Sequence, residues 1–196
     1  MNLKLLRNIL WGVCAIAALV VVWFQVIAPQ MRSDLADTFG HGDYQLVTTD
    51  GEPFTEASLE GAPSAVFFGF THCPDVCPTT LGDILTWQEE LGPDSEELNV
   101  FFVTVDPERD TQEILGDYVS WVPGVTGVTG SQEEISKAIR AFRVYAKRVP
   151  LDNGSYTMDH SAAVLLFDEN GSMFEPIGYG EGTDRAVAKL KRLIGS

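Results

Sequence analysis

The first apolar block runs from Ile9 to Ala28, interrupted only by Gln25, and is about the length that spans a bilayer as a helix. Residues 29–43 are polar and irregular and read as a linker. From Tyr44 the pattern becomes that of a folded domain. Tyr44-Gln45-Leu46-Val47-Thr48-Thr49 reads as a strand, and Asp50-Gly51 supplies a hairpin turn. Ser64 to Phe70 is a second, almost wholly apolar strand. Pro78 to Leu91 sets Leu81, Ile84, Leu85 and Leu91 at helical spacing and stops at Gly92-Pro93. Leu98 to Val105 is a β-branched and aromatic run, the pattern of a strand buried on both faces. Thr111 is expected to cap a helix to about Trp121, and Ser131 with Glu134 forms a capping box for the next. Phe142–Val149 and Gly154–Met158 can pair around Asp152-Asn153-Gly154. Ala163–Phe167 and Met173–Ile177 can pair around Asp168 to Gly171. Thr183 is expected to cap a last helix ending near Ile194.

Strands alternating with helices, followed by antiparallel pairing and a final helix, predict an α/β domain of thioredoxin-like type. The 196 residues suffice for one such domain plus an appendage. The expected division is a cytoplasmic N-terminus over 1–8, a transmembrane helix over 9–28, a linker over 29–43 and the domain over 44–196. Lys4 and Arg7 precede the apolar block and no acidic residue occurs before Asp34, so the N-terminus should stay cytoplasmic and the domain be translocated. Ala15-Ile16-Ala17 resembles a signal-peptidase site, but cleavage there would leave a greasy new N-terminus, so an uncleaved anchor is expected. Cys14, inside the block, is a passive apolar cysteine.

Charge narrows the partners. Of 13 basic residues only Lys4, Arg7 and Arg32 precede Ser33, so the rest of the chain carries 10 against 28 acidic residues, a net charge of −18. Such a surface repels nucleic acid and anionic lipid. Outside the apolar block there are only two cysteines, so this is no disulfide-stapled scaffold.

Those two cysteines carry the chemistry. In Phe70-Thr71-His72-Cys73-Pro74-Asp75-Val76-Cys77-Pro78 they follow a buried strand, and Pro78 suits the first position of a helix. At a strand-to-helix junction, backbone N–H groups and the positive end of the helix favour thiolate over thiol. If residues 73–77 form one helical turn, the two Cα atoms lie roughly 6 Å apart, close enough for a disulfide or one shared metal ion. Two thiolates do not complete a metal site. His160, just before the apolar run Ala162–Phe167, is placed to reach the cysteine loop from a neighbouring strand. Cys, Cys and His make a soft set suited to copper, with zinc as the competitor. His72 is the weaker histidine candidate and His41 belongs to the linker. Asp75 and Asp159 are candidates to support the ligands by hydrogen bonding. Asp106-Pro107-Glu108-Arg109-Asp110 reads as a strand-to-helix loop, either beside the ligand site or a turn held by its own side chains.

The segment from Gly69 to Pro78 resembles the metal-binding motif of the Sco/SenC family of copper proteins. Val105-Asp106-Pro107-Glu108-Arg109-Asp110-Thr111 is similar to a second family signature and Asp159-His160-Ser161 to a third, in the family's order. The resemblance implies copper, as Cu(I) or Cu(II), bound by Cys73, Cys77 and His160. It implies a membrane-anchored metallochaperone delivering to the copper-bearing subunit of cytochrome c oxidase, fed by an upstream copper donor or thiol reductant. It also implies a single pass through the inner membrane, with the domain facing the periplasm or the equivalent intermembrane space. The alternative is a thiol–disulfide oxidoreductase in which Cys73 and Cys77 keep the oxidase cysteines reduced, although the usual redox motif has two residues between its cysteines and this one has three. A thiol peroxidase is disfavoured by the paired cysteines.

Overall fold

The computed structural model describes residues 3–23, 25, 38–152 and 154–195. The chain divides into two compact units, Met1–Asp37 and Thr38–Ser196. In the first, helix α1 spans Leu3–Val22, beginning earlier than the apolar block, and its Ile9, Trp11, Ile16 and Leu19 side chains are exposed. Among the described residues no helix is long and apolar enough to cross a membrane. The expected span continues onto residues 26–28, which lie outside the described residues, as do 29–37 of the expected linker.

The second unit is built on a seven-stranded sheet ordered β2-β1-β5-β4-β3-β8-β9. The strands are β1 (Leu46–Thr48), β2 (Pro53–Phe54), β3 (Ser64–Gly69), β4 (Asn99–Thr104), β5 (Val125–Thr129), β8 (Val164–Phe167) and β9 (Met173–Ile177). β3, β4 and β5 run parallel at the centre, and the outer strands add antiparallel. A separate hairpin pairs β6 (Ala146–Pro150) with β7 (Tyr156–His160). Helices α2 (Val76–Leu91), α3 (Gln112–Val119), α4 (Gln132–Ala141) and α5 (Thr183–Ile194) complete the unit. This is the thioredoxin-like arrangement expected from the sequence. Every residue of β3 is buried, as its unbroken apolar run requires. The core beneath is aromatic, with Phe142 packed against Tyr44, Phe68 and Phe167.

Residues 38–43 fold onto this unit. The Gly40 N–H donates to Ala141 O, and the buried Tyr44 hydroxyl donates to Gly40 O. Gly40 itself, at φ +78°, leaves no room for a Cβ, which would lie 2.8 Å from Leu59 Cδ1.

Three local expectations are corrected. β5 reads Val-Thr-Gly-Val-Thr between two more glycines, a sequence that looks like loop, and no strand is expected there. Gly127 is needed because a Cβ would meet Thr49 Cγ2 at 2.7 Å and Leu115 Cγ at 2.9 Å. Ser131 does cap α4 by accepting from Glu134 N–H, but the Glu134 carboxylate turns away to Gln45 N–H and Lys137 rather than closing a capping box. Gly182, not Thr183, caps α5, with no side-chain bond.

Candidate metal centre

The topology explains why distant segments meet. Parallel β3 and β4 end side by side, so the loops that follow them, 70–75 and 105–110, are neighbours. β8 runs antiparallel to β3 with Val164 opposite Phe67, so the residues just before β8 return to the end of β3 where the cysteine loop begins. His160, the last residue of β7, arrives there. Its ring meets Phe70 edge-on at 5.7 Å between centroids, and Phe67 at 6.3 Å.

One ligand atom from each of Cys73, Cys77 and His160 lies within 4.8 Å of the other two, and these three residues form the one such group of three among the described residues. Both cysteines are free thiols. Cys73 precedes α2 instead of sharing a helical turn with Cys77: its N–H closes a turn to Phe70 O, and its sulfur accepts the Cys77 N–H at 3.3 Å. Pro78 is the third residue of α2, not the first, and still lies in the turn whose N–H groups lack helical partners. Cys77 Sγ lies 3.6 Å from His160 Nε2. His160 Nδ1 lies 2.8 Å from Ser161 O; a carbonyl only accepts, so Nδ1 holds the proton and Nε2 presents its lone pair to the sulfurs. Cys77 is fully buried, whereas Cys73 and His160 are half-buried, so the site opens on the Cys73 and His160 side.

Electrostatics correct the sequence reading of Cys77. Burial pushes its thiol well above the ordinary cysteine range; a hydrogen bond from the Phe70 backbone opposes this, and Cys73 and Asp110 add to it. Desolvation outweighs the helix terminus, so a metal ion must displace the Cys77 proton.

The loop after β4 ties the ligand-bearing segments together. Asp110, fully buried, accepts from Thr71 N–H (3.1 Å), the Thr71 hydroxyl (2.6 Å) and the Thr104 hydroxyl (2.6 Å). Its carboxylate thereby fixes the start of the cysteine loop. Buried Asp106 accepts from Arg109 Nε and, at 2.8 Å, from the Tyr156 hydroxyl. Arg109 also donates to Tyr156 O at 3.1 Å and lies over the Tyr156 ring at 3.9 Å. That grips the β6–β7 hairpin which carries His160. The sequence places this loop beside the site without its function as a clamp, because its partners Thr71 and Tyr156 are far away along the chain.

Other candidates fall away. His72 is exposed, with Nδ1 3.0 Å from the Thr71 hydroxyl, and is outside the ligand group. Asp75 is exposed and makes no capping bond, and exposed Asp159 yields the His160 Nδ1 contact to Ser161 O. His41 is half-buried and lies 3.7 Å from Glu56. Tyr118 has no motif to mark it: its buried hydroxyl has no hydrogen-bond partner among the described residues.

Two sulfurs and an imidazole nitrogen, held by separate elements and open on one side, are chemically matched to a soft ion such as copper. A family model described as SCO1/SenC matches residues 33–195. The structure of Bradyrhizobium japonicum ScoI with copper bound is 43% identical, with a TM-score of 0.72 over 78% of this chain and 98% of that one. Yeast Sco1 with copper bound is 31% identical, with a TM-score of 0.71 over 81% of this chain and 90% of that one. The mitochondrial protein SCO2 of Saccharomyces cerevisiae is 33% identical over 158 residues, 78% of this chain and 52% of that protein. The chain spans about half to two thirds of the length of the curated relatives it matches.

Proposed function

This chain belongs to the SCO1/SenC family, and on that premise we propose that it is a membrane-anchored copper chaperone. Copper is its cargo: Cys73 and Cys77 as thiolates and His160 through Nε2 hold one ion, which passes to the dinuclear copper centre of cytochrome c oxidase. The observation that carries the reading is the convergence of three soft donors within 4.8 Å on the open side of the domain. Sulfur favours Cu(I) and the imidazole accommodates Cu(II). An open site suits delivery, since a recipient must add its ligands before the donor residues release the ion. The copper-bound ScoI and Sco1 relatives support copper as the metal. The recipient is the copper-bearing subunit of the oxidase, and an upstream copper donor or thiol reductant prepares the site. Ile9 to Ala28 anchors the domain to the inner membrane, facing the periplasm or the equivalent intermembrane space. Its apolar length and the preceding Lys4 and Arg7 support this.

A second reading, reduction of the oxidase cysteines, is favoured by one contact. Cys73, half-exposed and with its sulfur accepting the Cys77 N–H, is placed to attack a disulfide, and Cys77 to resolve the mixed disulfide. The decisive measurement is copper titration of the reduced chain beside His160→Ala, with oxidase copper content measured in cells carrying each at equal level. Delivery predicts one copper per wild-type chain. In the variant it predicts weakened binding, Cu(II) most, and low oxidase copper while reduction of a model disulfide persists. Normal oxidase copper with His160→Ala would refute delivery.

A further inference from the structure

The β6–β7 hairpin brings His160 to its open end, where Ala146 is its partner. One residue beyond that pair, Tyr145 faces Ser161. In a hydrogen-bonded antiparallel pair the two residues normally exchange both backbone bonds, each N–H donating to the other's carbonyl. Here the backbones make only half of the exchange: the Ser161 N–H donates to Tyr145 O at 2.9 Å. The return bond goes to a side chain, with the Tyr145 N–H donating to Ser161 Oγ at 2.9 Å. The Ser161 carbonyl, released from the ladder, accepts from His160 Nδ1 at 2.8 Å. At the turn end of the same hairpin the Leu151 N–H donates to the Ser155 carbonyl at 2.9 Å in the ordinary way. The substitution of hydroxyl for carbonyl is thus found at the end that carries the ligand. A neutral imidazole can hold its proton on either nitrogen. Only the Nδ1–H form leaves the Nε2 lone pair, 3.6 Å from Cys77 Sγ, available to a metal ion beside the sulfurs.

We propose that Ser161 is a positioning residue for the metal ligand before it: its hydroxyl replaces its own carbonyl in the hairpin ladder, and the freed carbonyl holds the His160 imidazole with Nε2 turned to the cysteines. The inference rests on the copper site proposed above. Its effect falls mainly on Cu(II), which depends on the nitrogen ligand more than Cu(I) does. In Ser161→Ala the Tyr145 N–H loses the hydroxyl, and the ladder acceptor left to it is the carbonyl of residue 161. The ladder then closes in its regular form at the expense of the imidazole. Ser161→Thr keeps a hydroxyl at the same position and suits a strand.

The test compares full-length wild type, Ser161→Ala and Ser161→Thr, all reduced in detergent and isotope-labelled at histidine. At about pH 8, above the ordinary histidine range, nitrogen NMR of the metal-free chains reads which ring nitrogen of His160 carries the proton. Wild type and Ser161→Thr should show the Nδ1–H form alone, and Ser161→Ala a mixture of both forms. Competition against a chelator should find Cu(II) bound about tenfold or more weakly by Ser161→Ala, with Cu(I) less affected and Ser161→Thr behaving as wild type. A single Nδ1–H form in Ser161→Ala would overturn the inference, and so would a mixture in Ser161→Thr or unchanged Cu(II) binding in Ser161→Ala. Proton positions that shift as expected in chains that take up no copper at all would uphold the exchange of acceptors and remove the copper site it serves.

Discussion

Replacing Asp110 with Ala tests the clamp that sets the cysteine loop. The carboxylate accepts three hydrogen bonds in a fully buried setting, two from Thr71 and one from Thr104. Hydrogen bonds to a charged acceptor contribute about 1.5–3 kcal/mol each, so their gross loss is roughly 5–9 kcal/mol. Two terms offset it. Removing a buried charge recovers a desolvation cost of several kcal/mol. The Thr71 hydroxyl also keeps a second partner in His72 Nδ1 at 3.0 Å. The net expectation is about 3 kcal/mol, most of it the cost of leaving buried donors unmatched. For a unit of this size that is a fall in melting temperature of about 6–12 °C. Because Thr71 lies two residues before Cys73, copper affinity should fall as well, by about tenfold or more. Thr71→Val removes one of the three bonds and should lose less. In the double variant the Thr71 effect should shrink to what its exposed His72 contact contributes, since the Asp110 acceptor is already gone. The assays are thermal unfolding followed by circular dichroism on the reduced, metal-free chain, and copper competition against a chelator of known affinity. A fall in melting temperature below about 3 °C, or additive effects of Asp110→Ala and Thr71→Val, would refute the clamp.

Gly69→Ala would push a methyl group against Phe102 and the Cys77 sulfur, an overpacking that costs about 1–3 kcal/mol. Its unfolding midpoint in urea should fall and its copper affinity drop with it, and an unchanged affinity would mean that Cys77 holds its position without this packing. Tyr156→Phe keeps the ring under Arg109 but removes the donor to buried Asp106. It should cost about 1–2 kcal/mol in the same measurement, and a neutral result would show that Arg109 alone holds the hairpin. Because burial raises the Cys77 thiol and copper must displace its proton, apparent copper affinity should increase with pH across the neutral range. A pH-independent titration would mean that Cys77 binds as a thiol or not at all.

Much of this protein follows from the sequence, because local pattern carries it. The buried strands β3 and β4, the helix that follows the cysteines and the two late hairpins are set by apolar periodicity and turn residues within a few positions of one another. The candidates Cys73, Cys77 and His160 are legible too, since few residue types bind soft metals and the chain has few of them. Tertiary structure decides whatever depends on residues far apart along the chain. β5 is a strand because β1 and β4 flank it and because Gly127 lets Thr49 and Leu115 approach, not through its own propensity. Glu134 abandons its own helix cap for Gln45, a residue 89 positions away. Helix geometry within the motif favours a thiolate at Cys77, and the packing of the core over it holds the proton on. The supports of the site, Asp110 for the cysteine loop and Arg109 with Asp106 for the hairpin of His160, have partners that only the parallel pairing of β3 and β4 and the return through β8 bring within hydrogen-bonding distance. Hydrogen bonds act over about 3 Å, so no sequence spacing announces them until the chain has folded.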